Sequence, residues 1–79
     1  MERYRNLSGD SGVDAYALGV GCIAVRFKSG ATYWYTDASA GAEHVAEMSR
    51  LAQRGLGLST YISTHPDVSA GYARKDPDD

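Results

Sequence analysis

Cys22-Ile23-Ala24-Val25-Arg26-Phe27-Lys28-Ser29-Gly30-Ala31-Thr32-Tyr33-Trp34-Tyr35-Thr36 is the stretch on which the fold turns. Ile23, Val25 and Phe27 alternate with Ala24, Arg26 and Lys28, and after the Lys-Ser-Gly punctuation β-formers resume, so the stretch reads as a β-hairpin. A two-residue Ser29-Gly30 loop of type I′ would put Ser29 at positive φ, which a residue with a Cβ resists. A three-residue loop is preferred, with Lys28 and Ser29 in a type I turn and Gly30 left-handed as a G1 bulge. It pairs Phe27 with Ala31, Val25 with Tyr33 and Ile23 with Tyr35. Both tyrosines then share the face of Ile23, Val25 and Phe27, while Trp34 lies on the opposite face, next to Ala24 and diagonal to Arg26.

Working outward, Val13 to Leu18 reads as a preceding strand, with Val13, Ala15 and Ala17 on one side and Asp14, Tyr16 and Leu18 on the other. Gly19-Val20-Gly21 is short enough to close a hairpin onto Cys22. After Thr36 the period changes. Asp37 and Ser39 are both credible N-caps for a helix running to about Arg54, with Gly55 at C′, and Val45, Met48, Leu51 and Ala52 give it one apolar stripe. Leu56 and Leu58 drop toward the core edge, Ser59 to Ile62 is a short element of uncertain type, and Pro66 and Gly71 interrupt the chain beyond it. The expectation is an α+β fold: a three-stranded antiparallel β-meander with one main α-helix packed on one face, followed by a short irregular C-terminal segment. Residues 1–12 form an N-terminal arm and loop, 13–72 a single domain, and 73–79 a disordered acidic tail.

Length and composition bound the rest. At 79 residues and 43% apolar content there is room for one small domain, and a single cysteine allows no intramolecular disulfide. The net charge is -2, yet three of the ten acids sit in the last four residues, so the remainder carries eight basic residues against seven acidic. That balance does not favour strong nonspecific attraction to nucleic acid. No apolar run is long enough for a signal peptide or membrane span, so a cytoplasmic location without membrane partners is expected, as a monomer or weak homodimer.

Ile23-x-Val25-x-Phe27, Ser29-Gly30, Tyr33-x-Tyr35 and the helix carrying Val45 and Met48 together resemble the KTSC domain, a family found at the C-terminus of some lysyl-tRNA synthetases and as stand-alone small bacterial proteins. The likeness runs from about Ser11 to Ile62. It implies a suggested RNA-binding role and offers no catalytic residues to carry over.

The chemistry-bearing residues point the same way. His44 and His65 are far apart in sequence and Cys22 sits in a strand, so neither a metal site nor a cofactor site is expected, although a Cys-His pair brought together by folding is invisible at this level. The Gly-x-Gly pairs at 19/21 and 55/57 are turn chemistry, not a phosphate loop. An enzyme is not expected. Trp34 has the best claim to function, because beside Arg26 it would form a cation-π pair of the kind enriched at binding hot spots. Lys28, Thr32, Arg3 and Arg5 complete the candidate partner-binding set. These residues support two readings. The first is a non-catalytic protein-binding module, using the outer sheet face or the third strand's open edge, of the size and charge of inhibitors that phages and mobile elements direct at nucleoprotein complexes, as anti-CRISPR proteins do. The second is single-stranded RNA or DNA binding, with Trp34 as a stacking platform and the basic residues on phosphates.

Overall fold

The structure, a computed structural model, describes residues 1–9 and 11–76. Its centre is the hairpin of β3 (Cys22–Phe27) and β4 (Thr32–Thr36). Val25 pairs with Tyr33, Ile23 with Tyr35 and Ala24 with Trp34. The Phe27 N–H donates to the Ala31 carbonyl at 2.9 Å, the Gly30 N–H returns to the Phe27 carbonyl at 2.8 Å, and Gly30 has φ of +100°. The three-residue loop with its left-handed glycine is therefore the turn that forms, and it places Tyr35 in the core.

The sheet has five antiparallel strands in sequence order, two more than expected. β2 (Val13–Gly19) pairs with β3, and on its other side lies β1 (Glu2–Arg3). β5 (Arg74–Asp76) pairs with β4 and occupies the edge expected to be open for strand addition. Neither terminus obeys the simple expectation: the arm is a strand, and three residues of the supposed disordered tail are another. Pro77 to Asp79 lie outside the described residues. Very short edge strands of this kind present few unpaired backbone groups to other chains.

Alternation along β2 is broken by a bulge between Val13 and Ala15. The extra residue puts Val13 opposite Phe27 and Tyr16 opposite Val25, so both point to the inner face, while Asp14 joins Ala15 and Ala17 on the outer one. The expected grouping of Val13 with the two alanines fails at that residue.

The helical half begins as α1 (Asp37–Ala40), breaks at Gly41 and continues as α2 (Ala42–Arg54). Thr36, one residue before the expected caps, is the N-cap. Its Oγ1 accepts from the Ser39 N–H at 3.1 Å, and Ser39 Oγ accepts from the Thr36 N–H at 2.9 Å. α2 buries the stripe of Val45, Met48, Leu51 and Ala52 and ends at left-handed Gly55. The short element of uncertain type at Ser59 to Ile62 is a helix, α3 (Leu58–Thr64), and the segment beyond it, expected to be irregular, forms α4 (Pro66–Ser69), with Pro66 at the first helical turn, where its missing N–H costs nothing. Gly71 lets α4 come home: a Cβ there would lie 2.5 Å from the Asp67 carbonyl and 3.0 Å from that of Ser39. Ile23, Val25 and Tyr35 meet Met48, Leu58, Ile62 and Val68 in one core on the inner face, with Tyr33 and Phe27 packed at its border.

The N-terminus is locked into this core by Tyr4, which is 3% exposed. Its hydroxyl accepts from the Leu58 N–H at 3.2 Å, and α3 has no side-chain cap of its own, so Tyr4 satisfies an otherwise orphaned donor across the chain. Arg5 Nη2 donates to the Gln53 carbonyl at 2.9 Å at the far end of α2.

Two outcomes check this account. Gly30→Val should destabilise by about 1 kcal/mol or more in denaturant unfolding, and Ser29→Val by less, because only Gly30 needs positive φ. Tyr4→Phe should cost about 1 to 2 kcal/mol by leaving a buried N–H unpaired. It should also selectively speed hydrogen exchange at Leu58. Unchanged exchange there would show that the hydroxyl does not cap α3.

Candidate functional site

The four helices pack on the inner face, and among the described residues none lies on the outer one. Strand register sets out what this face displays. Arg3, Ala15, Arg26, Thr32 and Asp76 form one row across all five strands, and Ala17, Ala24, Trp34 and Arg74 form the next. Three of the expected site residues, Arg3, Arg26 and Thr32, thus share a row, and Trp34 stands diagonal to it.

Arg3 and Arg26 rim a hollow of about 220 Å³ floored by Ala15 and closed by Met1 and Asp14. The bulge puts Asp14 there, and its Oδ2 accepts from Arg26 Nε at 3.2 Å and Nη2 at 3.1 Å. Both side chains are 44% exposed, so the pair orients the guanidinium while adding little stability. The expected cation-π pair of Arg26 with Trp34 does not form, because Asp14 holds the guanidinium. The cation-π contact that does form puts Lys75 Nζ 5.3 Å from the centre of the Tyr33 ring, on the other face.

Trp34 is half-buried. Its indole N–H donates to Asp76 Oδ2 at 3.0 Å, and Asp76 Oδ1 accepts from Arg74 Nε at 2.8 Å. The Trp34 N–H and then the Arg74 guanidinium hold the Asp76 carboxyl below its ordinary range. The indole is therefore tethered, since the C-terminal strand supplies its partner. Lys28 and Arg5 do not join this face. Lys28 sits in the β3–β4 turn beside the inner-face cleft, and Arg5 is spent at the end of α2.

A second constellation was not legible in sequence. His44 on α2, Tyr61 on α3 and Asp67 on α4 form a chain in which the Tyr61 hydroxyl donates to His44 Nδ1 at 2.6 Å and His44 Nε2–H donates to Asp67 Oδ2 at 2.8 Å. The donor roles are set by Asp67, which as a carboxylate can only accept. His65 stacks on Tyr61 with ring centres 4.0 Å apart and donates Nδ1–H to the Tyr61 carbonyl at 2.7 Å. The order carboxylate, imidazole, hydroxyl resembles a nucleophile relay. Its electrostatics run the other way: burial, then the carboxylates of Glu47, Asp67 and Glu43, push the Tyr61 phenol up, away from activation. The chain is a cross-brace between three helices. Residues separated by a loop and two helices carry no common spacing, so no sequence signal announces them.

With both ring nitrogens engaged, His44 has none to offer Cys22, which lies in β3 against Gly19. Among the described residues no group of three or more His, Cys, Asp or Glu side chains is placed to hold a metal ion, and no helix is long and apolar enough to cross a membrane.

No protein-family model, curated protein or solved structure matches this chain.

The Trp34–Asp76 contact has a pH signature. A carboxyl whose folded pKa is depressed contributes fully above its ordinary value of about 4, and the contribution is lost as pH falls through the lower folded value. Emission from the chain's single tryptophan should therefore change in a titration centred below about pH 4, and Asp76→Asn should abolish that step. An identical titration in the variant would show that Asp76 does not hold the indole.

Proposed function

We propose that this chain is a small non-catalytic protein-binding module that docks through the outer face of its sheet, receiving an acidic side chain of its partner between Arg3 and Arg26. The observation that carries the reading is the hollow over Ala15: two guanidinium groups from different strands rim one depression on a face that no described helix covers. Asp14 already holds Arg26 through Nε and Nη2, so an incoming carboxylate meets the Arg3 guanidinium and the remaining Nη1 of Arg26. Half-buried Trp34, alongside Thr32, offers the aromatic surface enriched at interface centres.

Charge favours protein over nucleic acid as the target. Asp14 offsets Arg26 and Asp76 offsets Arg74, so the face has little surplus positive charge to release counterions from a phosphate backbone. A module of this kind, acting by occupying a surface, fits the inhibitor reading drawn from size and charge. Single-stranded RNA is the second reading, supported by the KTSC resemblance and by Trp34 sharing its face with Arg3, Arg26 and Arg74.

Affinity capture from the native host, followed by titration of the purified captured component, decides between them. Arg26→Ala and Arg3→Ala should each weaken a protein partner by about 2 kcal/mol, roughly 30-fold, while barely moving the melt, since both side chains are exposed. Binding should weaken only shallowly over moderate salt, as the screening of one or two ion pairs requires. Affinity for single-stranded RNA that falls steeply as salt rises would replace this reading with the second, and a partner indifferent to both substitutions would remove the outer face from consideration.

A further inference from the structure

The opposite face of the sheet holds a cleft of about 550 Å³ between the β3–β4 turn and helices α3 and α4. Its volume falls in the range of small-molecule sites, and nothing in the outer-face reading uses it. We propose that this cleft binds a small, flat aromatic monoanion of the aryl-carboxylate or aryl-sulfonate type.

The walls argue for a ring. Phe27, Tyr33 and Tyr35 come from the inner sheet face and Ile62 from α3. Phe27 meets Tyr33 edge to face, with centroids 5.4 Å apart, whereas Tyr33 and Tyr35 are 18° from parallel at 6.5 Å. Phe27 and Tyr33 are half-buried and leave part of their ring surface to a planar guest, while Tyr35, 1% exposed, backs them from the core.

The rim argues for one negative charge. Among the described residues lining the cleft there is no carboxylate, and Lys28 is the only charged group. Lys28 is exposed and makes no ion pair with any described residue. Four serines, Ser29, Ser59, Ser63 and Ser69, also line the cleft. Ser63 and Ser69 donate to the Thr60 and Pro66 carbonyls of their own helices at 3.1 and 3.2 Å, but the Ser29 and Ser59 hydroxyls make no side-chain bond to a described residue and are available as donors. The Tyr35 phenol, pushed up to about 12 by burial and then by the neighbouring Tyr33 and Tyr72 phenols, stays neutral and adds no competing charge. One lining ammonium with two free hydroxyls complements a single anionic head, while the nearby Lys75 ammonium is engaged on the Tyr33 ring, 5.3 Å from its centre.

The test uses 8-anilinonaphthalene-1-sulfonate and its neutral counterpart N-phenyl-1-naphthylamine, titrated into the native full chain at neutral pH. The sulfonate should bind saturably, one per chain, with amide shifts concentrated at Lys28, Ser29 and residues 59–63. Lys28→Glu, on an exposed turn, should weaken the sulfonate about tenfold or more and leave the neutral dye unchanged, since only the anion meets the ammonium. Ser63→Trp, at the exposed rim, should fill the cleft and abolish both. The proposal fails if native protein shows no saturable binding, if shifts map elsewhere, or if Lys28→Glu weakens both dyes equally. It also fails if dye binding appears only as near-ultraviolet circular dichroism is lost, the mark of a loosened core. None of these results bears on the outer face.

Discussion

The register of the β3–β4 hairpin is the constraint on which the remaining structure depends. Side chains alternate with a period of two, so a turn one residue shorter would carry Tyr35 to solvent and Trp34 into the core. Gly30, at a φ of +100°, admits the three-residue loop that prevents this. With Ile23, Val25 and Tyr35 committed inward, α2 has an apolar sheet face against which to lay Met48 and Leu51, and α3 and α4 add Leu58, Ile62 and Val68.

A core of this size is closed by the ends of the chain. Tyr4 is buried among helices and caps α3 through its hydroxyl, while β5 covers the edge of β4 and supplies the carboxylate that holds Trp34. Such contacts span 54 and 42 residues, and they tie distant parts of the sequence to the core in a chain whose single cysteine allows no intramolecular disulfide. The brace of Asp67, His44 and Tyr61 adds a third long-range tie on the helical side.

The two sheet faces differ in kind because one bulge separates them. Inserting Asp14 keeps Val13 and Tyr16 together on the inner face and puts a carboxylate beside Arg26 on the outer one. Outside, charges sit in pairs over a floor of alanines; inside, aromatic rings border the helices and leave a cleft whose described lining carries a lysine and no acid. The proposed partner carboxylate and the proposed aromatic anion therefore fall on opposite faces of the sheet.

What the amino-acid order determined by itself is local. The alternation from Cys22 to Phe27, the left-handed glycine at 30, the stripe of Val45, Met48, Leu51 and Ala52 and the stop at Gly55 were all readable, because each depends on a period or a backbone preference set within a few residues. The α+β class and the inner placement of Tyr35 are consequences of them. What only the tertiary structure decided are the pairings across long separations: the edge strands at Glu2–Arg3 and Arg74–Asp76, the bulge at Asp14, the tether on Trp34, the loss of Lys28 and Arg5 from the outer face, and the meeting of His44 with Tyr61 and Asp67. A two- or three-residue strand has no period of its own to read, and a hydrogen bond between residues dozens of positions apart leaves no spacing in the chain, so both become visible only once the core has brought the partners together.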